Sequence, residues 1–231
     1  MLVDADSSCA STVAGSVSAI ILDYYKAEKV VANVQGLLGQ SSGLSVEIVV
    51  ADNSCNSCNA EILRQLRATI PVIDLVINEK NLGYTKGCNR AVGRSRGQYV
   101  LICNPDITWP DPTALATMVD YLDAHPDVGI VGPRQVNEAD GSNPLTIRGF
   151  PNLFTQVIRR TILRTLPILR DIVAYDEMRH LDLGQTQTVD WLQSSCILTR
   201  RSFWDRVGGF DERYVLFMAD PELCWQAWSM G

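Results

Sequence analysis

Three aspartates stand at or just beyond the ends of three apolar runs in the first half of this chain. Asp23 follows VSAIIL, Asp52 follows EIVVA and precedes Asn53, and Asp106 closes YVLICNPD two residues after Asn104. Near-continuous apolar runs bounded by polar residues read as strands covered on both faces, the habit of parallel sheets. Ligands of an open parallel sheet bind in the crevice beyond the carboxyl ends of its strands. Carboxylates facing such a crevice bind hydroxyls and base edges, or they hold a divalent cation. Asp106, on a proline-containing turn directly after a buried strand, is best placed for the cation. Mg2+ or Mn2+ held by one or two carboxylates and the oxygens of a bound diphosphate is the economical arrangement. An aspartate after a strand also forms turns or caps helices. That plainer reading suits Asp23, stands level with the functional one for Asp52, and yields to metal binding at Asp106.

The rest of the sequence narrows the chemistry. No GxGxxG follows the first run and no GxxxxGK[ST] occurs, which counts against a dinucleotide oxidoreductase and a P-loop NTPase. The 231 residues are 46% hydrophobic and carry a net charge of -6, fitting one large folded domain. No apolar run approaches the roughly 20 residues that span a bilayer. The start, with Asp4 and Asp6 and no basic region before an apolar stretch, argues against a signal peptide. A pI near 4.9 without a basic block argues against nucleic acid as a partner. The seven cysteines are an odd count, mostly beside apolar residues, and Cys55 and Cys58 of CNSC have no second pair to complete a zinc site. A reduced, cytoplasmic protein is expected.

Strands and helices alternate along the first 130 residues. Helices are expected over Ala27 to Leu38, Asn59 to Ala68, Thr85 to Ser95 and Pro112 to Ala124. Between them lie strands at Val17 to Leu22, EIVVADNS, VIDLVI and Tyr99 to Cys103, with VGIV following. GQSSG and NEADGSNP are loops. FTQVIRRTILRTL is a loosely amphipathic segment stopped by Pro167, VDWLQSSCILT is one further strand, and two helical pieces end the chain. The expected fold class is α/β, a mostly parallel central sheet with helices on both faces.

VSAIILDYY, EIVVADNS, NLGYTKGCNRAV, YVLICNPDI and the stretch from GGFDE to ADPELCW occur in an order that resembles family 2 glycosyltransferases of the GT-A fold. The resemblance covers roughly residues 17 to 230, and its NPD form resembles the rhamnosyltransferase-like branch. The polar start makes 1–16 an expected flexible stretch, and the resemblance implies a nucleotide-sugar half over 17–133 and an acceptor and catalytic half over 134–231. Leu22, Asp23 and Tyr24, with Asp52 and Asn53, would hold the base and ribose. Asn81, Gly83 and Asn89 would line the diphosphate side. Asn104 and Asp106 stand in place of the family's DxD motif, with Asp106 on the metal. Asp220 would be the base that deprotonates the acceptor, and Trp191, Ser194 and Ser195 would face acceptor and donor sugar. The implied reaction is inverting transfer, with dTDP-rhamnose the favoured donor and a saccharide or lipid-linked saccharide the acceptor.

The chain departs from the family in places. Ala219 stands where the family has Glu before its catalytic Asp, Gln226 replaces an Arg, and Ser194 replaces a preferred Gly. Asp220, Pro221 and Glu222 also form a helix N-cap pattern. Family members continue beyond the position of Gly231 and often carry a metal-assisting histidine there, which neither His125 nor His180 resembles. A truncated or degenerate nucleotide binder, or a sugar nucleotidyltransferase, are the competing readings. Arg159, Arg160, Arg164 and Arg170 along an apolar segment suit docking at the inner face of an anionic membrane, or else form a solvated helix face.

Overall fold

A computed structural model describes residues 13–40, 43–142 and 144–230. The first twelve residues of the expected flexible start, two residues of GQSSG, one of NEADGSNP and the final Gly231 lie outside the described residues. In chain order the strands are β1 (Val13–Asp23), β2 (Ser45–Asp52), β3 (Ile73–Ile77), β4 (Gly97–Cys103), β5 (Ile130–Val131), β6 (Ile147–Arg148), β7 (Trp191–Leu192) and β8 (Cys196–Arg200). The α-helices are α1 (Ala27–Leu38), α2 (Ser57–Thr69), α3 (Tyr84–Val92), α4 (Ala114–Ala124), α5 (Leu153–Arg159), α6 (Pro167–Asp176), α7 (Arg201–Val207) and α8 (Ala219–Ser229).

The main sheet has the order β3-β2-β1-β4-β8-β5. Strands β1 to β4 run parallel, β8 is antiparallel to β4, and β5 is antiparallel to β8. The sheet is therefore mostly parallel, as expected, and it draws β8 from the second half of the chain. Its two faces follow from strand alternation. Val17, Ala19 and Ile21 pack with Ile48, Val50 and Leu101 under α1, α2 and α4. Ile20, Val49 and Ala51 pack with Val100, Ile102 and Ile197 under α3, α7 and α8. Each fully buried Val, Ile or Leu among these contributes on the order of 1.5–3 kcal/mol, so this double-faced core dominates the stability of the sheet.

Beyond shifts of one to three residues at helix and strand ends, three features differ from expectation. Strand β1 begins at Val13, four residues before the expected Val17, running beside β4 and β2. The single strand expected over VDWLQSSCILT breaks at Gln193–Ser195, so that β7 pairs with β6 while β8 joins the main sheet. The amphipathic segment becomes α5, a 3-10 turn (Ile162–Thr165) and α6, in which Pro167 occupies the first turn and starts a helix. A missing N–H costs nothing at that position.

Candidate functional site

The parallel register sets Asp23 directly beside Asp52 at the carboxyl ends of β1 and β2. Both residues are completely buried. Asn59, in the first turn of α2, donates to Asp23 Oδ2 at 2.5 Å and to Asp52 Oδ1 at 3.2 Å. Its own Oδ1 accepts the Ala27 N–H at 3.2 Å, tying the start of α1 into the cluster. Asp23 Oδ1 accepts the Lys26 N–H at 2.9 Å, a turn-forming bond of the kind the sequence allows. Burial pushes the Asp23 carboxyl above its ordinary 3.8 and Asp52 adds to the shift, while the Asn59 and Lys26 donors pull against it. Asp52 also accepts the Ser54 N–H at 2.8 Å, and its Oδ2 is buried without a hydrogen-bond partner. Leu22 packs on Gly87 of α3, where an added Cβ would meet Leu22 Cδ1 at 2.7 Å. Tyr24 is 55% exposed beside the edge of Tyr25.

The asparagines of the NLGY block brace the entry to α3. Asn53 Nδ2 donates to Asn81 Oδ1 at 2.9 Å and to the Gly83 carbonyl at 3.0 Å, and its Oδ1 accepts from Leu82 N–H and Asn78. Gly83 has φ +78, and a Cβ there would meet Val215 Cγ1 at 2.8 Å, so both backbone and space call for glycine. Asn89 grips the GGFDE loop at both ends of its amide. It donates to the Phe210 carbonyl at 2.7 Å and to Glu212 at 3.3 Å, and accepts the Phe210 N–H at 3.0 Å.

Beyond β4 opens a crevice of about 1190 Å³, lined among others by Asn104, Asp106, Gln135, Trp191 and Ser195. Asp106 pairs with Lys26 Nζ at 2.7 Å, with side chains 34% and 46% exposed. Burial works to raise the Asp106 pKa, but the Lys26 hydrogen bond and charge, helped by Lys29, outweigh it and hold the carboxyl below 3.8. Among the described residues no three His, Cys, Asp or Glu side chains gather to cage a metal. One ionised, accessible carboxylate at a crevice mouth nonetheless fits Mg2+ or Mn2+ sharing its coordination with ligand phosphates. His125 and His180 lie apart from it, stacked on Tyr121 and Tyr175. Trp191 lines the crevice with its indole N–H on the Gly149 carbonyl at 2.8 Å.

The break between β7 and β8 turns neighbouring serines to different partners. Cys103 pairs with Cys196 in register, and the Asn104 N–H then reaches the Ser195 carbonyl at 2.8 Å. Ser195 Oγ donates to Gln135 in the crevice at 3.0 Å. Ser194 Oγ hydrogen-bonds Asp220 Oδ1, and the Tyr84 hydroxyl lies 2.7 Å from the same Oγ. Asp220 is not the N-cap of α8. Met218, at φ +71, takes that place, and Asp220 is the second helical residue with its carboxyl directed to Ser194. Burial raises the Asp220 pKa above 3.8, against the lowering effect of the Ser194 hydrogen bonds.

The predicted residues thus fall into three groups. Asp23, Asp52 and Asn53 form a buried frame that reaches the exposed Asn81 and half-buried Gly83, while Asn104, Asp106, Trp191 and Ser195 line the crevice. Ser194 and Asp220 form a unit with Tyr84, off the crevice lining and joined to it through the β7–β8 turn. Sequence reasoning missed Lys26, Asn33, Asn59 and Tyr84. Asn33, which donates to the Asn104 carbonyl at 2.8 Å, was detectable as a polar residue on the apolar face of α1. Tyr84 lay inside a quoted motif, but nothing in its spacing connects it to residues 110 positions away.

Residues 18–175 match the family described as Glycosyl transferase family 2. The chain is 30% identical over 189 residues to the N-acetylglucosaminyl-diphospho-decaprenol L-rhamnosyltransferase of Mycobacterium tuberculosis strain H37Rv, covering 77% of this chain and 59% of that protein. It is 25% identical over 214 residues to the low-salt glycan biosynthesis hexosyltransferase Agl10 of Haloferax volcanii, covering 90% of this chain and 60% of that one. The chain therefore spans about three-fifths of the length of these curated relatives. Among solved structures it resembles the mannosyltransferase PcManGT of Pyrobaculum calidifontis in complex with GDP-Man and Mn2+, with TM-score 0.64 and 20% identity over 93% of this chain and 52% of that one. It also resembles S. aureus TarS in complex with UDP, with TM-score 0.58 and 16% identity over 92% and 54%. Fold likeness and the extent of the family match lead to one assignment: the chain belongs to glycosyl transferase family 2.

Proposed function

We propose that this chain carries the transferase site for moving a sugar, L-rhamnose favoured, from a nucleotide-diphospho sugar to a hydroxyl of a saccharide or lipid-linked saccharide, with inversion. The observation that carries the reading is that the β4–β8 pairing joins the segments bearing Asp106 and Asp220, 114 positions apart in sequence. Asn104, two residues before Asp106, donates its N–H to the Ser195 carbonyl, and the adjacent Ser194 contacts Asp220. Support for the sugar and acceptor class comes from the mycobacterial relative's name, and support for a metal from the Mn2+ complex of the mannosyltransferase.

The nucleoside end is assigned to Tyr24, an exposed ring able to stack on a base, with the completely buried Asp52 bracing the strand end behind it. Leu22, Asp23, Asn53, Asn81, Gly83 and Asn89 hold the loops around that end. Asp106, with Asn104 beside it, would hold Mg2+ or Mn2+, and Lys26 would release the carboxylate to it. When bound, the metal neutralises charge on the leaving diphosphate as a Lewis acid. Asp220 takes the proton of the acceptor hydroxyl as that oxygen attacks the anomeric carbon. Its partial burial favours proton uptake, while Ser194 keeps it oriented. One base acting with a single displacement inverts the anomeric centre. Trp191 and Ser195 line the volume assigned to the acceptor.

Calorimetric titration with dTDP, UDP and GDP, each with and without Mn2+, tests the reading. Metal-dependent binding of one nucleotide is expected, dTDP first. Absence of binding to all three would overturn the reading.

A further inference from the structure

Between Leu153 and Arg170 the sequence carries four arginines, nine large apolar residues and no acidic residue, in a chain whose net charge is -6. Fold and charge pattern part company here. Helix α5, the 3-10 turn and α6 pack chiefly on one another, and neither the 3-10 turn nor α6 has a buried residue. Ile158 and Thr155 anchor the base of the excursion. Arg159 locks its two helices together through Asp176 at 2.5 Å and Glu177 at 3.7 Å, so that arginine is structural. What remains outside is apolar and cationic. Leu153, Ile162 and Ile168 are 82%, 81% and 77% exposed, with Phe154, Leu166 and Tyr175 also exposed. Arg160 and Arg164 are exposed and pair with no acidic side chain among the described residues, while Arg170 meets only the equally exposed Asp171. An apolar patch of this extent marks an interaction site rather than ordinary surface.

We infer that this excursion docks the protein on the surface of an anionic lipid bilayer, with Leu153, Phe154, Ile162 and Ile168 entering the headgroup boundary and Arg160, Arg164 and Arg170 meeting lipid phosphates. The choice of occupant rests on charge. Over residues 153–176 four arginines stand against Asp171 and Asp176, a net of +2 on a chain of net -6, so the excursion matches a negative surface and would be repelled by a positive one. Exposed apolar side chains interleaved with arginines have the composition of elements that lie in the interface plane. No helix among the described residues is long and apolar enough to cross a membrane, so the contact is peripheral. The inference stands apart from sugar transfer: loss of nucleotide binding would leave it untouched, and loss of lipid binding would leave the transferase reading untouched.

Co-sedimentation of the 231-residue chain with phosphatidylcholine vesicles, with and without one-third phosphatidylglycerol, tests it. Two variants, Arg160→Glu with Arg164→Glu and Ile162→Ser with Ile168→Ser, change only exposed side chains, and circular dichroism verifies their folding. Binding is expected to anionic vesicles, to fall with salt, and to drop at least about tenfold in each variant. No binding to either vesicle would overturn the inference and leave the face to another protein segment. Equal binding to both vesicle types, or binding unchanged in the variants, would overturn it too.

Discussion

Two pairs of aspartates sit at the same end of one sheet in opposite circumstances. Asp23 and Asp52 are sealed beneath the loops, share the Asn59 amide, and are inaccessible. Asp106 and Asp220 come from distant parts of the chain; one is exposed to a lysine, the other is held by a serine. The first pair is what a strand end needs to turn the chain and start a helix. The second pair suits the proposed reaction, since a carboxylate that takes up a metal or a proton cannot have its whole environment fixed by the fold. Residue type is the same in both; the difference lies in what covers them.

The largest effect separating the pairs should come from Asp106→Ala. It is expected to abolish the metal-dependent part of nucleotide binding in calorimetry, while costing under about 1 kcal/mol of stability, because its ion pair is solvent-exposed. Nucleotide binding that stays metal-dependent in this variant would remove Asp106 from the metal site. Asp220→Asn is next. Transfer or donor hydrolysis should fall roughly 10²-fold or more with nucleotide affinity kept, as for loss of a general base. A variant that turns over at the parent rate would leave Asp220 as a first-turn helix residue and nothing more.

Asn59→Ala probes the buried pair through stability. It strips Asp23 of its shortest side-chain donor, and an unsatisfied buried carboxylate should cost about 3 kcal/mol in urea unfolding at pH 7. The sign of the pH dependence follows from burial. Asp23 has a native pKa above 3.8, so the native state holds its proton more tightly than the unfolded chain does. Stabilisation from that group is fully present below about 3.8 and is lost as pH rises through the native value. Asn59 favours the ionised form, so its removal should cost more at pH 7 than at pH 4. Equal cost at both would mean that Asn59 acts by packing alone.

Much of this arrangement was legible in the sequence, for identifiable reasons. Strands β1 to β4 are apolar on both faces and end at polar residues, and a sheet covered on both sides leaves few other ways to bury them. Strand direction was not legible. CILTR reads the same whether parallel or antiparallel, and only its pairing with β4 reverses it and brings Ser195 to Asn104. The start of α8 misled for a related reason. Asp-Pro-Glu has the chemistry of a cap, but Met218 in the left-handed region opens the helix two residues earlier, and Pro221 fits because first-turn N–H groups are unbonded anyway. The stretch from Phe154 to Leu166 has helical spacing without a layer to pack against. Short helices gain most of their stability from tertiary packing, so it breaks into pieces. Asn59 and Tyr84 escaped notice because their partners are fixed by tertiary structure and not by spacing.

The finest distinction between the pairs is a matter of tuning, and the Tyr84–Ser194–Asp220 chain is where it can be measured. Burial pushes the Asp220 pKa up and the Ser194 hydroxyl pulls it back by donating to the ionised form. A general base works only when unprotonated, so the acid limb of the transfer rate should lie above the pH at which an ordinary aspartate titrates. Ser194→Ala removes the donor and leaves the burial, so the limb should move to higher pH. Tyr84→Phe leaves Ser194 bonded to Asp220 but takes away the neighbour that orients and polarises its hydroxyl, so a smaller shift in the same direction is expected. Both variants should keep nucleotide affinity, which separates tuning from general damage. If neither limb moves while Asp220→Asn still abolishes turnover, the limb belongs to another group, and Ser194 holds Asp220 in position without setting its proton affinity.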